Sequence, residues 1–242
     1  MKRIVVLLSL TALLNVASTA PSATRTVASA TPTSSVKTAA SSKSFGHLAV
    51  YDLLNLGQSG LQKEVFEYAL RGWQKMGASR PILSIVDLSQ PSTKKRLYVV
   101  DLLNKKLLFN TYVAHGQHSG DLMASRFSNV NASFQSSLGF YQTLNTYMGK
   151  HGLSLQLKGL EKGFNDQVYN RNIVLHGADY ACEDFIKKTG RLGRSQGCPA
   201  VPYADSKNII QAVKGGTCLF VYAPNQDYLK QSAYLSNPYT SL

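Results

Sequence analysis

Between residues 81 and 222 the chain breaks into short apolar runs that alternate with polar residues or stop at glycine, proline and asparagine, and this punctuation limits it to a sheet-centred fold. Residues 81–88 alternate and end at Ser89-Gln90-Pro91. Residues 96–101 form a second run and 106–114 a third, with Leu103-Asn104-Lys105 as a hairpin turn between them. Further strands are expected at 139–144, 154–157 and 172–175, and a closing strand at 217–222. Helical spacing appears in two places. Leu61, Val65, Phe66, Ala69, Leu70, Trp73 and Met76 share one face of a helix that Ser59 is placed to cap, and residues 48–54 read as a shorter helix packed on it. Residues 203–214 carry Ile209, Ile210 and Val213 on one face, and Gly215-Gly216 ends that helix. The pattern predicts an α+β domain with a curved or sandwiched, mainly antiparallel sheet, an N-terminal helical pair and a helix after Cys198. There is no internal repeat.

The N-terminal region reads differently. Lys2 and Arg3 precede an apolar run at 4–14, and Ser18-Thr19-Ala20 supplies small residues where a signal peptidase cuts. The run is too short for a bilayer span, so residues 1–20 are read as a secretory signal, with an uncleaved interfacial anchor as the alternative. Residues 21–44 are almost all Ala, Ser, Thr, Val and Pro and are read as a disordered tether, because such a segment buries too little apolar surface to offset its ordering entropy. The helical segment then occupies 45–80 and the main domain 81–242, a length that supports one substantial core. This organisation implies an exported protein of the periplasm or cell envelope, with no stable membrane span once the signal is removed.

Charge narrows the partners. Lys and Arg number 26 against 13 Asp and Glu, for a net charge of +13. A basic surface attracts polyanions, which outside the cytoplasm are envelope polymers, or it serves solubility alone. No helix-turn-helix, zinc-finger or aromatic-basic signature accompanies the charge, so nucleic acid is not expected as a partner.

Three cysteines, Cys182, Cys198 and Cys218, leave at least one thiol unpaired in an oxidising compartment. If Cys182 pairs with Cys218, Cys198 stays free. Within Arg194-Ser195-Gln196-Gly197-Cys198-Pro199, Gly197 permits a tight turn and Pro199 restricts Cys198 to extended backbone, which suits a nucleophile at a strand-like corner. Lys207, a protonated histidine or Arg194 would favour the thiolate. The competing reading is a buried small residue or a disulfide partner. A thiol nucleophile needs a base, and of five histidines His115 and His176 each end an apolar run and precede glycine. His47, His118 and His151 read as a residue beside the tether, a Ser/Gly-loop surface residue and part of a polar turn. His115 and His118 are spaced like metal ligands, with Asp121 as a conceivable third, but no Cys-x-x-Cys or second histidine cluster supports a metal and none is expected. Gly-x-x-x-x-Gly-Lys and Gly-x-Ser-x-Gly are both absent.

The ordered set Ile173-Val174-Leu175-His176-Gly177, then Gly190-Arg191-Leu192-Gly193-Arg194-Ser195-Gln196-Gly197-Cys198-Pro199-Ala200-Val201, resembles the active-site signature of the L,D-transpeptidase (YkuD-type) catalytic domain, in particular the murein L,D-transpeptidase branch. His115-Gly116, Ser119-Gly120, Phe127-Ser128-Asn129 and the run from Ser136 to Tyr141 extend the resemblance over nearly all of 83–222. Two positions depart from the family pattern. Gln196 stands where the family usually has histidine, and Pro199-Ala200-Val201 lacks the basic or amide residue usual after the cysteine.

The resemblance implies a cysteine acyltransferase of peptidoglycan stem peptides that needs no cofactor. In this reading His176 takes the Cys198 proton, the thiolate displaces D-Ala from a tetrapeptide, and an amine of a second stem, an envelope protein or water resolves the thioester. Gly197, Ser195, Arg194 and Gly177 are assigned to the oxyanion site and loop support, with the N–H groups of Cys198 and Gly197 facing the oxyanion. His115, Ser137, Tyr141 and Gln196 are assigned to substrate binding. The alternatives are a non-catalytic basic protein that binds the envelope, and another thiol peptidase with histidine before cysteine.

Overall fold

The computed structural model describes residues 49–236. The signal expected over 1–20 and the tether over 21–44 lie outside that range. Eight strands form one mixed sheet: β1 (Ile82–Asp87), β2 (Leu97–Asp101), β3 (Lys106–Thr111), β4 (Gly139–Gly149), β5 (Gly152–Gly159), β6 (Val174–Ala178), β7 (Ala200–Pro202) and β8 (Cys218–Tyr222), in the order β3-β2-β1-β8-β4-β5-β6-β7. Pairing is antiparallel except for β1 with β8 and β6 with β7. The sheet curls towards closure because chain beyond β3 meets chain around β7. Ala114 bridges Ala200 and Gly116 bridges Ser195, with the Ala114 N–H donating to the Ala200 carbonyl at 2.8 Å. The expected α+β domain on a curved, mainly antiparallel sheet is the observed fold, and the curl takes it close to a barrel.

Helix α1 (Lys63–Met76) buries Val65, Phe66, Ala69 and Leu70, as the spacing predicts. Its cap is Gln62 and not Ser59, whose carbonyl instead accepts from the Tyr98 hydroxyl at 3.0 Å. Residues 49–53 are helical, as expected. Strand β4 runs five residues past the expected 139–144, through a stretch whose side chains turn to solvent and lose the apolar signal. Four elements were not expected: a 3-10 turn (Asp179–Ala181), α2 (Glu183–Thr189), the three-residue β7 and α4 (Gln226–Gln231). Helix α3 (Tyr203–Val213) buries Ile209, Ile210 and Val213.

The core lies where α1 and the C-terminal segment cover the middle of the sheet. Phe140 of β4 stacks on Phe220 of β8 with centroids 4.2 Å apart, a geometry that adds to the area both rings bury. Beside them the buried Glu161 accepts from the Phe140 N–H, the Tyr228 hydroxyl and Ser232 Oγ, tying α4 to the sheet. Burial raises its pKa. Among the described residues no helix is long and apolar enough to cross a membrane.

Candidate active site

Parallel pairing of β6 with β7 sets His176 opposite Ala200, which lays the segment before β7 along the start of β6. Cys198 belongs to that segment. Its sulfur accepts from the Val174 N–H at 3.5 Å and its thiol donates to the Asn172 carbonyl at 3.9 Å. Burial raises the thiol pKa; the Val174 N–H, Arg171 and Lys150 act the other way without reversing it. The resting group is a neutral thiol. Lys207 and Arg194, expected to favour the thiolate, are not the charges that act on it.

His176 is 2 % exposed. Its Nδ1 donates to the Gly177 carbonyl at 2.9 Å, which leaves Nε2 as the proton-accepting nitrogen. Burial lowers its pKa, and His151 and Lys150 lower it further against the opposing Gly177 hydrogen bond. Gly177 is required by close approach, since a Cβ there would meet Ser206 Oγ at 2.6 Å where α3 packs on β6. Cys198 and His176 line one cavity of about 670 Å³, of the size that holds a small ligand. Among the described residues, the hydrogen bonds of the sulfur go to the two backbone groups above and not to an imidazole.

The loop that presents the thiol is closed on itself. Ser195 Oγ donates to the Cys198 carbonyl at 2.6 Å and accepts from the Gly197 N–H at 3.0 Å. Gly197 has φ +119°, and a Cβ there would lie 2.7 Å from the Gln135 carbonyl. Only glycine meets both conditions without strain.

The sequence matches the L,D-transpeptidase catalytic domain family over residues 57–222. The chain belongs to that family. No curated protein matches it. Among solved structures it is similar to an L,D-transpeptidase from Mycobacterium smegmatis, with 12% identity and TM-score 0.37 over 59% of each chain. It is also similar to the L,D-transpeptidase (Yku) from Stackebrandtia nassauensis, with 18% identity and TM-score 0.34 over 65% of this chain and 67% of that one. A third similar structure is the helical cell shape determining protein Pgp2 from Campylobacter jejuni, with 15% identity and TM-score 0.37 over 64% and 55%. This chain spans 59% of the M. smegmatis protein. Family membership rests on the sequence match.

Within this L,D-transpeptidase domain the other expected site residues divide. Ser195, Gln196 and Arg194 line the cavity. Arg194 is held by Asp121 at 2.6 Å. The Gly197 N–H is engaged by Ser195 Oγ, so the expectation that it faces an oxyanion is corrected. His115, Ser137 and Tyr141 do not line the cavity. His115 is 1 % exposed, with Nδ1 accepting from Arg96 at 2.7 Å and Nε2 donating to the Gly120 carbonyl at 3.2 Å. Burial and the neighbouring Arg96 push its pKa down to about 4, so it is a neutral ring that ties the loop after β3 to Arg96. His118 is turned to the Ser133 carbonyl, so the two histidines do not act as a pair. Ser137 and Tyr141 are buried, and the Tyr141 hydroxyl donates to the Ser137 carbonyl at 2.7 Å. All three cysteines are free, with Cys218 buried in β8. The conditional pairing of Cys182 with Cys218 is absent.

Three cavity residues escaped the sequence reading. Arg171 donates to the Ser128 carbonyl at 2.7 Å, Ser137 Oγ at 2.6 Å, Ser133 Oγ at 3.2 Å and the Gln135 carbonyl at 2.8 Å, so one guanidinium clamps the loop facing the thiol. Lys150 and His151 come from the β4–β5 turn, and the His151 ring stacks on His176 with centroids 4.4 Å apart. Arg171 lies in a polar Tyr-Asn-Arg-Asn stretch without a motif, and no local signal marked it. His151 sits between Gly149 and Gly152, and a histidine in so tight a turn was the one available hint.

Proposed function

We propose that this chain is an L,D-transpeptidase or L,D-carboxypeptidase of peptidoglycan stem peptides, with Cys198 as nucleophile and His176 as base. The observation that carries the reading is the tautomer of His176: its Nδ1 proton is committed to the Gly177 carbonyl, so Nε2 is the basic nitrogen in the cavity it shares with the thiol.

In this mechanism His176 Nε2 takes the proton of the neutral thiol as the sulfur attacks the carbonyl carbon before the terminal D-Ala of a tetrapeptide. The Cys198 backbone N–H stabilises the oxyanion. Collapse breaks the C–N bond, and the D-Ala amine leaves with the proton held by the imidazole. An amine or water then attacks the thioester, His176 takes its proton, and the thiolate departs to be reprotonated. Acting outside the cytoplasm, in the periplasm or cell envelope, belongs to the same proposal, as do the signal at 1–20 and the tether at 21–44.

Incubation with a purified tetrapeptide muropeptide tests the reading by mass analysis. D-Ala release by the wild type, its loss in Cys198→Ala and a carbapenem adduct mapped to Cys198 support it. Retained turnover in Cys198→Ala, or muropeptide binding by the wild type with neither turnover nor adduct, overturns it.

A further inference from the structure

His176 lines the cavity and yet is almost fully covered. Part of its cover is the exposed turn between β4 and β5. Gly149 pairs with Gly152 across that turn, and two residues on Ser154 of β5 pairs with His176 of β6. The register therefore brings the turn over the β6 imidazole. His151 lies face to face with His176, with 4.4 Å between centroids and 19° between ring planes. The Nδ1 hydrogen bond to Gly177 fixes one edge of the His176 ring, and the stack fixes its plane. Together they define where Nε2 points.

We propose that His151 is a positioning residue for the His176 imidazole, holding its plane and shielding it from water so that it stays neutral and aimed at the thiol. The proposal rests on the reading of His176 as the base.

The groups around His176 give the shield its direction. The β4–β5 turn contributes Lys150 and His151, the loop before β7 contributes Cys198, α3 contributes Tyr203 beside Gly177, and β5 contributes the uncharged Ser154. No carboxylate lines the cavity to favour an imidazolium. A covered ring beside two nitrogenous groups resists protonation, and the lowered pKa of His176 has the matching sign. A base with a depressed pKa stays neutral further into acid. Removing the cover therefore raises the His176 pKa, and the acid limb of kcat/KM moves to higher pH.

Two variants of the full chain separate positioning from bulk structure. His151→Ala removes the stacked ring and its nitrogens; His151→Phe keeps a flat ring without them. NMR titration of the His176 ring and the pH profile of kcat/KM are measured for each. The proposal expects His151→Ala to lower kcat, raise the His176 midpoint and move the acid limb upward, and expects His151→Phe to recover most of kcat with a smaller shift. An unmoved His176 midpoint in His151→Ala, or a Phe variant as impaired as the Ala variant at the optimum, overturns it. The NMR midpoint needs no substrate. If it moves as expected while the wild type fails to turn over stem peptides, the ring coupling stands and the proposed function falls.

Discussion

The Val174 N–H reaches the Cys198 sulfur at 3.5 Å, so the strand that carries His176 also touches the thiol two residues earlier. One element thus supports both partners of the proposed reaction. The contact favours thiolate, but burial outweighs it and the thiol titrates above its ordinary range. Alkylation by iodoacetamide, mapped by peptide, should be slow at Cys198 near neutrality and rise through the alkaline range, because the thiolate is the reacting form. Cys218, buried in β8, should stay unlabelled while the fold is intact. Fast, pH-independent labelling of Cys198 around neutrality contradicts the assignment of a neutral resting thiol.

Arg171 grips the loop opposite the thiol through four acceptors. Arg171→Met should cost about 2–3 kcal/mol of stability, since hydrogen bonds from a charged donor are each worth more than neutral ones. Arg171→Lys should recover little, because an ammonium cannot reproduce the planar fork. Urea midpoints and kcat measure both. Full recovery by lysine would mean that charge, and not the fork, holds the loop.

Gly197→Ala should leave the thiol chemically present and misplace it. The φ of +119° and the Gln135 carbonyl 2.7 Å from the new Cβ force the loop to shift, at about 1–3 kcal/mol. Turnover should collapse while thiol titration of the denatured protein still finds all three cysteines. Near-normal turnover would show that the loop tolerates the shift.

The two glycine-followed histidines should fail in different ways. His176→Ala should lower turnover by roughly 10²–10⁴ with little loss of stability. His115→Ala should cost about 1–3 kcal/mol, because the Arg96 guanidinium loses a buried acceptor. His115 also gives a pH signature. Its folded pKa of about 4 lies below the ordinary 6.5, so the unfolded chain binds the extra proton between those values. Stability from this residue is complete above about 6.5 and falls as pH drops towards 4, by on the order of 3 kcal/mol. Denaturant midpoints should show that slope in the wild type and a flatter one in His115→Gln.

The strands were legible in the sequence as short apolar runs bounded by turn residues, with β1, β6 and β8 buried throughout, and α1 and α3 were legible because each has one apolar face. Helix α2 was not, since it buries no residue and leaves no periodic trace. Three-residue β7 was too short to announce itself, and its place is fixed by Ala114, far away in sequence. The candidate site divides the same way. Cys198 and His176 stand in local motifs, whereas His115 looks the same as His176 along the chain and is set apart by its hydrogen bond with Arg96 and its place outside the cavity. The places of Arg171 and His151 arise from loop packing and strand register, which no local pattern encodes.

The sheet order places β1 beside β8, so the first and last strands lie side by side in its interior. Leu83 and Cys218 are partners although far apart in the chain, and β4 completes its pairing only on the far side of β8. Such long-range closure is slow to form. A chain that stopped before Cys218 would present two half-sheets, each with a bare inner edge of the kind that invites pairing with another chain. The final strand is thus the seam of the molecule, and the domain gains a continuous sheet only after Cys218–Tyr222 has emerged and docked.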